Sequence, residues 1–146
     1  MERATLSQIA RLILLRLSQG QEFSLGYRIG GSLLFFLGIG SMDEQISTRF
    51  SGVERLYGKS KFTKIKNAHV LIVGLGGVGS WAAESLVRSG IREITLVDPD
   101  SVCETNINRQ IQALDCNLGK AKVDVLKARF LQINPDLKVN LVEDFF

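Results

Sequence analysis

A glycine-rich turn lies between an apolar run and an amphipathic segment near the middle of the 146-residue chain. Within the turn, residues 74–80, Gly74, Gly76 and Gly79 stand at GxGxxG spacing. The absent side chains let backbone N–H groups approach phosphate oxygens, and a following helix adds partial positive charge at its N-terminus. Asp98 ends the next apolar run, nineteen residues after Gly79, where a carboxylate accepts hydrogen bonds from ribose hydroxyls. Together these features predict a nucleotide-binding turn rather than a merely structural one.

The hydrophobic pattern around this turn alternates between strands and helices. Continuous apolar runs predict buried parallel strands at 69–73, 94–97 and 139–142. Helices are predicted over 43–57 with a break at Gly52, over 59–66, over 80–89 with Gly90 closing the helix, and over 118–133. Alternating strands and helices predict the α/β class, a Rossmann-like doubly wound parallel sheet of which only the first half is present. We expect such a truncated sheet to leave a strand edge unpaired.

Composition excludes several classes of protein. Apolar residues make up 45% and charged residues 23%, which excludes a disordered tail and a collagen-like fibre. The net charge is +3, of which residues 1–41 carry +2, so the remainder is close to neutral and predicts no general nucleic-acid-binding face. Cys103 and Cys116 stand without a CxxC motif, which excludes a disulfide scaffold and a cysteine zinc site. No metal ligands are predicted within the chain.

Residues 1–41 differ in pattern from the rest. Apolar residues recur at helical spacing between Leu6 and Leu17, and the apolar run 33–37 is too short for a bilayer, which needs about 20 residues. Three interpretations are open: a translation start assigned too far upstream, which we favour because Met42 precedes the patterned part, a membrane-surface anchor, or a targeting segment. We therefore divide the chain into a leader, 1–41, and a nucleotide-binding domain, 42–146.

Three polar residues after Asp98 bear on which nucleotide is bound. A nicotinamide enzyme shares the glycine turn and the acid, and needs no strong cations beyond them. ATP cleaved at its α-phosphate builds charge on the departing pyrophosphate, which Arg109 and Lys122 are suited to stabilise, with Asn106 beside them. From spacing alone, Arg109 and Lys122 are explained equally well as solvated residues of helices. His69 is predicted to pack at the start of a strand without a carboxylate partner, and Trp81 to be core.

The stretch from about residue 49 to residue 146 resembles the ThiF-type activating enzymes, which are similar to the ubiquitin-activating enzymes. The matching motifs are VLIVGLGGVGSWAAESL, ITLVDPDSVCETNINRQ, GKAKVD and INP. Within that superfamily, RFSGVERLYG, DSVCETNINRQI and QINPDLKVNLVEDF are most similar to the tRNA threonylcarbamoyladenosine dehydratases. The resemblance covers essentially everything after the leader.

The resemblance implies a role for each matching position. Gly77 and its glycine neighbours would hold phosphate, and Asp98 the adenosine ribose. Asn106, Arg109 and Lys122 would surround the triphosphate and act in catalysis. An arginine near the N-terminus of relatives reaches the partner subunit's ATP, for which Arg55 and Arg49 are the candidates. The Mg²⁺ ligand of relatives would lie beyond residue 146.

The resemblance also implies the reaction: ATP-dependent adenylation of a carboxylate, most closely the cyclisation of threonylcarbamoyladenosine in tRNA, with this truncated chain catalytically incomplete. Implied partners are ATP, Mg²⁺, tRNA, a second copy of the chain in a homodimer, and a sulfur-relay protein, in the cytoplasm with no stable membrane span. Two other functions stay open, an NAD-dependent oxidoreductase module and an activating enzyme for a sulfur carrier or ubiquitin-like protein.

Overall fold

The computed structural model describes residues 23–29, 32–39 and 48–143, which form five strands and four α-helices. The strands are β1 (Phe23–Ile29), β2 (Ser32–Ile39), β3 (Ala68–Val73), β4 (Glu93–Val97) and β5 (Lys138–Val142). The helices are α1 (Ser51–Tyr57), α2 (Lys59–Lys66), α3 (Gly79–Arg88) and α4 (Lys122–Ile133). Short 3₁₀ turns cover Thr48–Phe50, Glu104–Asn106 and Asp115–Asn117. No helix in these ranges is both long and apolar enough to cross a membrane.

The sheet has the order β1-β2-β3-β4-β5, and its last three strands are parallel. Val70 of β3 lies opposite Ile94 of β4, which lies opposite Val139 of β5. Helix α3 connects β3 to β4, and α4 connects β4 to β5. The predicted parallel strands are therefore confirmed, each beginning one residue earlier than predicted. Their carboxyl ends meet at one edge of the sheet, where ligands bind in doubly wound folds.

The hydrophobic core lies between one face of the parallel strands and the two connecting helices. Every second residue of a strand points to the same face, so Val70 and Ile72 enter the core together. Fully buried Val87 of α3 and Phe130 of α4 pack into the same cluster. Burying such a side chain contributes about 1.5–3 kcal/mol. Gly90 closes α3 as predicted, with a φ of 91° that favours glycine, and its N–H donates to Val87 O.

Helix α4 begins at Lys122, four residues later than predicted. The segment before it pairs instead with the chain after β4, because Val102 N–H donates to Lys120 O (2.9 Å) and Gly119 N–H donates to Val102 O (2.9 Å). Gly119 has a φ of 79°, a backbone conformation that L side chains rarely adopt. The positive φ and the antiparallel pairing keep this segment out of the helix.

The first two strands of the sheet come from the segment predicted to be a leader. Strands β1 and β2 form an antiparallel hairpin, and β2 pairs along β3 from Leu33 opposite Val73 to Ile39 opposite Ala68. The edge of β3 opposite β4 is therefore paired, and among the described strands the unpaired edges are those of β1 and β5 at the two ends of the sheet. The helical spacing predicted between Leu6 and Leu17 lies outside the described residues. Residues 43–47 of the first predicted helix also lie outside them, and the described part of that helix consists of the 3₁₀ turn 48–50 and α1.

The buried histidine of β3 has a carboxylate neighbour that the sequence did not predict. His69 Nε2 and Thr95 Oγ1 are hydrogen-bonded at 2.8 Å, and His69 Nδ1 lies 3.7 Å from Glu93 Oε1. Glu93 Oε1 also accepts from Lys138 Nζ and Asn140 Nδ2. Burial would raise the pKa of Glu93, but these positive and hydrogen-bonding neighbours lower it overall. The proximity comes from sheet register, since His69 and Glu93 are cross-strand partners.

A buried carboxylate joins the two core helices. Glu84 of α3 is 5% exposed; its Oε2 accepts from Arg129 Nε of α4 at 2.5 Å, and its Oε1 lies 2.8 Å from Arg88 Nη2. Burial would raise the pKa of Glu84, but the hydrogen bonds and charges of Arg129 and Arg88 outweigh it, so the pKa is lowered. The ionised carboxylate therefore stabilises the contact between α3 and α4.

We expect Glu84→Gln to lower the free energy of unfolding by about 1–2 kcal/mol at pH 7, a modest value because both arginines are partly exposed. Because the folded pKa lies below the unfolded value of about 4.3, this stabilisation is present above that pH and is lost as the pH falls through the folded pKa. Urea denaturation between pH 3 and pH 8 measures it. Glu104→Gln, at an exposed glutamate, is the matched control. A uniform loss at every pH would contradict the role of the charge.

Candidate functional site

The glycine turn follows β3 directly and leads into α3. Gly74 has a φ of 86°, a left-handed conformation that favours glycine, and its N–H donates to Val97 O of β4 (2.8 Å). Ser80, in the first turn of α3, donates its hydroxyl to Gly76 O (2.7 Å). No side chain caps the N-terminus of α3, and the N–H groups of Gly76 and Gly77 donate to nothing among the described residues. Such open N–H groups at a helix N-terminus form an anion-binding site.

Asp98 fixes the turn from the end of β4. Its side chain is 6% exposed; Oδ2 accepts from Leu75 N–H at 2.6 Å, and Oδ1 accepts from Asp100 N–H at 2.9 Å. Each carboxylate oxygen has a second lone pair, so these bonds leave acceptor capacity for ribose hydroxyls. The sequence predicted Asp98 as a ligand-binding residue and did not predict its bond to the glycine turn.

Arg109 lies directly against the glycine turn. A Cβ atom at Gly77 would stand 3.2 Å from Arg109 Cγ and 3.3 Å from Cδ, so glycine at this position makes room for the arginine. Arg109 Nη1 donates to Thr105 O (2.8 Å) and Asn108 Oδ1 (3.0 Å). Its Nε and Nη2 make no hydrogen bond to the described residues, and the side chain is exposed. This free edge of the guanidinium can bind two phosphate oxygens at once.

Trp81 holds the Arg109 segment in place from α3. Its indole Nε1 donates to Arg109 O at 3.0 Å, and its side chain is 53% exposed. The prediction that Trp81 belongs to the core is wrong. The core cluster takes Ala83 and Val87 from α3 and does not include Trp81.

Asn106 shapes the loop between Asp98 and Arg109. It is 9% exposed, and its Oδ1 accepts from Cys103 N–H at 3.1 Å, which stabilises the 3₁₀ turn Glu104–Asn106. Among the described residues its Nδ2 has no hydrogen-bond acceptor. The amide can therefore donate to a ligand while its oxygen holds the loop.

Lys122 begins α4 on the same side of the sheet. Its side chain is 5% exposed, and Nζ lies 2.8 Å from Asp100 Oδ2 and 3.7 Å from Asp98 Oδ1. The structure thus brings Asp98, Arg109 and the glycine turn to one edge of the sheet, with Asn106 in the loop between them, and places Lys122 beside Asp98.

Comparison with known proteins identifies the class to which this arrangement belongs. The model of the ThiF family matches residues 50–146, about two thirds of the chain. The chain belongs to the ThiF family.

Named relatives and solved structures agree with this assignment. The chain is 55% identical over 97 residues to tRNA threonylcarbamoyladenosine dehydratase of Escherichia coli and 47% identical to that of Haemophilus influenzae, covering 66% of this chain in each case. The crystal structure of the E. coli enzyme in complex with ATP superposes with a TM-score of 0.64 at 54% identity, over 66% of this chain and 40% of that one. This confirms the predicted Rossmann-like fold. The chain spans little more than a third of the length of the curated relatives it matches, 36% and 37%.

The two arginines that ThiF relatives suggested for the partner site form no hydrogen bond or ion pair with this group. Arg49 Nη1 donates to Ile133 O at 2.7 Å, at the C-terminus of α4 and so at the end of the helix farthest from Lys122. Arg55, in α1, is exposed and forms no hydrogen bond or ion pair with the described residues. A role of either in a second copy of the chain stays a prediction.

Two contributors to this candidate site were absent from the prediction. Gln112 is 1% exposed and donates Nε2 to Leu75 O at 2.8 Å, so Leu75 is held from one side by Asp98 and from the other by Gln112. Asp100 binds Lys122. Neither follows from motif spacing, although a second acid two residues after Asp98 is a signal that local charge counting would have found.

Proposed function

We propose that the chain binds ATP at the glycine turn and contributes this site to adenylation of a carboxylate. The observation that carries the proposal is the position of Arg109: its side chain packs against Gly77 of the glycine turn, and its Nε and Nη2 make no hydrogen bond to the described residues. A nicotinamide dinucleotide needs no such cation at the turn, whereas a triphosphate does. The ATP complex of the 54% identical E. coli structure supports the choice of nucleotide.

The proposed chemistry is transfer of AMP to an oxygen of the substrate. A carboxylate oxygen attacks the α-phosphorus of ATP, the bond from that phosphorus to the β-phosphate oxygen breaks, and pyrophosphate leaves with the bonding electrons. The transition state places negative charge on the departing group, where Arg109 can stabilise it. The mixed anhydride formed has AMP as a good leaving group.

We further propose that the carboxylate belongs to threonylcarbamoyladenosine in tRNA, the substrate named for the 55% and 47% identical relatives. A nitrogen of the same modification then attacks the activated carbonyl carbon, loses its proton and expels AMP, which closes a five-membered ring. Proximity within one nucleoside favours this step, so no protein nucleophile is needed. The substrate also implies a cytoplasmic location, and we keep a second copy of the chain as the predicted partner.

ATP reactions of this type use Mg²⁺ to neutralise phosphate charge. Across residues 23–29, 32–39 and 48–143, no group of three His, Cys, Asp or Glu side chains is placed to hold a metal ion. The Mg²⁺ ligand that the resemblance to the ThiF-type enzymes implies beyond residue 146 stays a prediction.

Thermal unfolding of the 146-residue chain with and without nucleotide tests the proposal. We expect ATP with Mg²⁺ to raise Tm, since a ligand at about 100 times its Kd stabilises the folded state by about 2.7 kcal/mol. NAD⁺ and NADH at the same concentration are the matched comparison, because they share the adenosine and lack the triphosphate. Stabilisation by NAD⁺ or NADH alone would overturn the ATP assignment in favour of an oxidoreductase module.

A further inference from the structure

The ammonium group of Lys122 is covered in this structure by a carboxylate that lies closer to solvent. The Lys122 side chain is 5% exposed, whereas that of Asp100, 2.8 Å away, is 63% exposed. The second acid, Asp98, is 6% exposed and lies 3.7 Å from Lys122 Nζ. A phosphate oxygen therefore reaches the ammonium only if one of its present neighbours moves.

The backbone holds Asp100 and Lys122 side by side. Lys122 N–H donates to Asp100 O at 3.0 Å, and Asp100 N–H donates to Asp98 Oδ1 at 2.9 Å. Residues 101 and 102 pair with 120 and 121 in a short antiparallel ladder directly beside them. The proximity of the two side chains thus follows from the loop fold and does not depend on two long flexible side chains meeting by chance.

The two carboxylates differ in the free energy that moving each of them would cost. Asp98 accepts hydrogen bonds from two backbone N–H groups, so moving it would leave the buried Leu75 N–H and the partly buried Asp100 N–H without an acceptor. The Asp100 carboxylate accepts only from Lys122 among the described residues and regains hydration on turning outward. Bound polyphosphate also repels Asp100 and attracts Lys122, and both effects favour the same exchange.

We propose that Asp100 is a positioning residue that holds the Lys122 ammonium in place without nucleotide and yields it to the phosphates of ATP when the nucleotide binds. This inference rests on the proposed function. In this arrangement the charge of Asp100 weakens ATP binding, because its carboxylate competes with the triphosphate for the Lys122 ammonium. Adenosine, which has no phosphate, is not subject to this competition.

Asp100→Asn in the 146-residue chain tests the exchange by isothermal titration calorimetry. The amide keeps the shape of the side chain and removes its charge, so we expect the Kd for ATP to fall about threefold to tenfold while the Kd for adenosine stays unchanged. Asp136→Asn, at an exposed aspartate in the turn before β5, is the matched control and should change neither affinity. Asp100→Glu, which restores the charge, should return the ATP affinity to that of the wild type.

A double-variant cycle shows whether the effect acts through Lys122. In a Lys122→Met background, Asp100→Asn should no longer improve ATP binding, because the cation for which the two anions compete is gone. A gain that persists in this background would overturn the exchange and leave only direct repulsion. Circular dichroism confirms that each variant is folded, and Asp100→Ser replaces Asp100→Asn if that variant is not.

Two outcomes separate this inference from the proposed function. A wild-type chain that binds no ATP contradicts the proposed function itself. A wild-type chain that binds ATP, together with an Asp100→Asn variant whose ATP affinity is equal or weaker, overturns the role of Asp100 alone.

Discussion

Arg109→Ala is expected to lower the rate of adenylyl transfer by about a hundredfold or more, with a much smaller loss of ATP affinity. The Arg109 side chain packs against Gly77 of the glycine turn, and its Nε and Nη2, which make no hydrogen bond to the described residues, can bind the pyrophosphate as its charge grows. Removing one such donor from other enzymes costs about 10²–10³ in kcat. An interaction that is stronger in the transition state than in the ground state affects turnover more than binding. AMP release from ATP with tRNA carrying threonylcarbamoyladenosine measures the rate, and calorimetry the affinity.

Arg109→Lys is the matched variant for this experiment. Lysine keeps the positive charge but cannot bind two phosphate oxygens through a planar edge, so we expect its rate to lie between those of the wild type and Arg109→Ala. Losses of equal size in rate and in ATP affinity would contradict a role specific to the transition state and would assign Arg109 to nucleotide binding.

Asp98→Ala is expected to weaken ATP binding by about a hundredfold, the equivalent of about 2.7 kcal/mol. The carboxylate has remaining lone pairs for ribose hydroxyls, and a hydrogen bond to a charged group contributes about 1.5–3 kcal/mol. The same change leaves Leu75 N–H without its acceptor and Lys122 without one of its two neighbouring carboxylates, so the free energy of unfolding should fall by about 1–3 kcal/mol. Calorimetry and urea denaturation measure the two effects.

Adenosine serves as the internal comparison for Asp98, because it carries the ribose without the phosphates. Asp98→Ala should weaken adenosine and ATP by similar factors, in contrast to changes at Arg109 or Asp100. Asp136→Ala controls for the loss of an aspartate elsewhere on the surface. An unchanged adenosine affinity would show that Asp98 acts only on the glycine turn and not on the ribose.

The parallel half of the fold was predictable because its signals are local. Buried strands are continuous apolar runs, so the positions of the strands can be predicted from the sequence. The turn between β3 and α3 requires glycine where φ is positive, so Gly74 marks that turn in the sequence. The meeting of Asp98 and the glycine turn also follows, since the carboxyl ends of neighbouring parallel strands share one edge. Arg109 lies in the loop after β4, and its place beside the turn was predicted from the resemblance to the ThiF-type enzymes, because spacing alone left it open.

The remaining features depend on contacts between segments that are distant in sequence. The late start of α4 results from pairing of 119–121 with 101–102, and the burial of Gln112 results from its bond to Leu75 O. Trp81 carries the same apolar character as a core residue, yet its indole N–H finds its acceptor, Arg109 O, at the surface. Hydrophobic periodicity contains no information about such partners.

The hairpin of β1 and β2 has a consequence for the architecture as a whole. In a doubly wound sheet the first parallel strand is central, with the second strand on one flank and the fourth on the other. Here β4 takes one flank of β3 and β2 takes the other. The backbone donors and acceptors along that edge of β3 can pair with only one strand at a time. Residues 32–39 and a fourth parallel strand therefore cannot both pair with it.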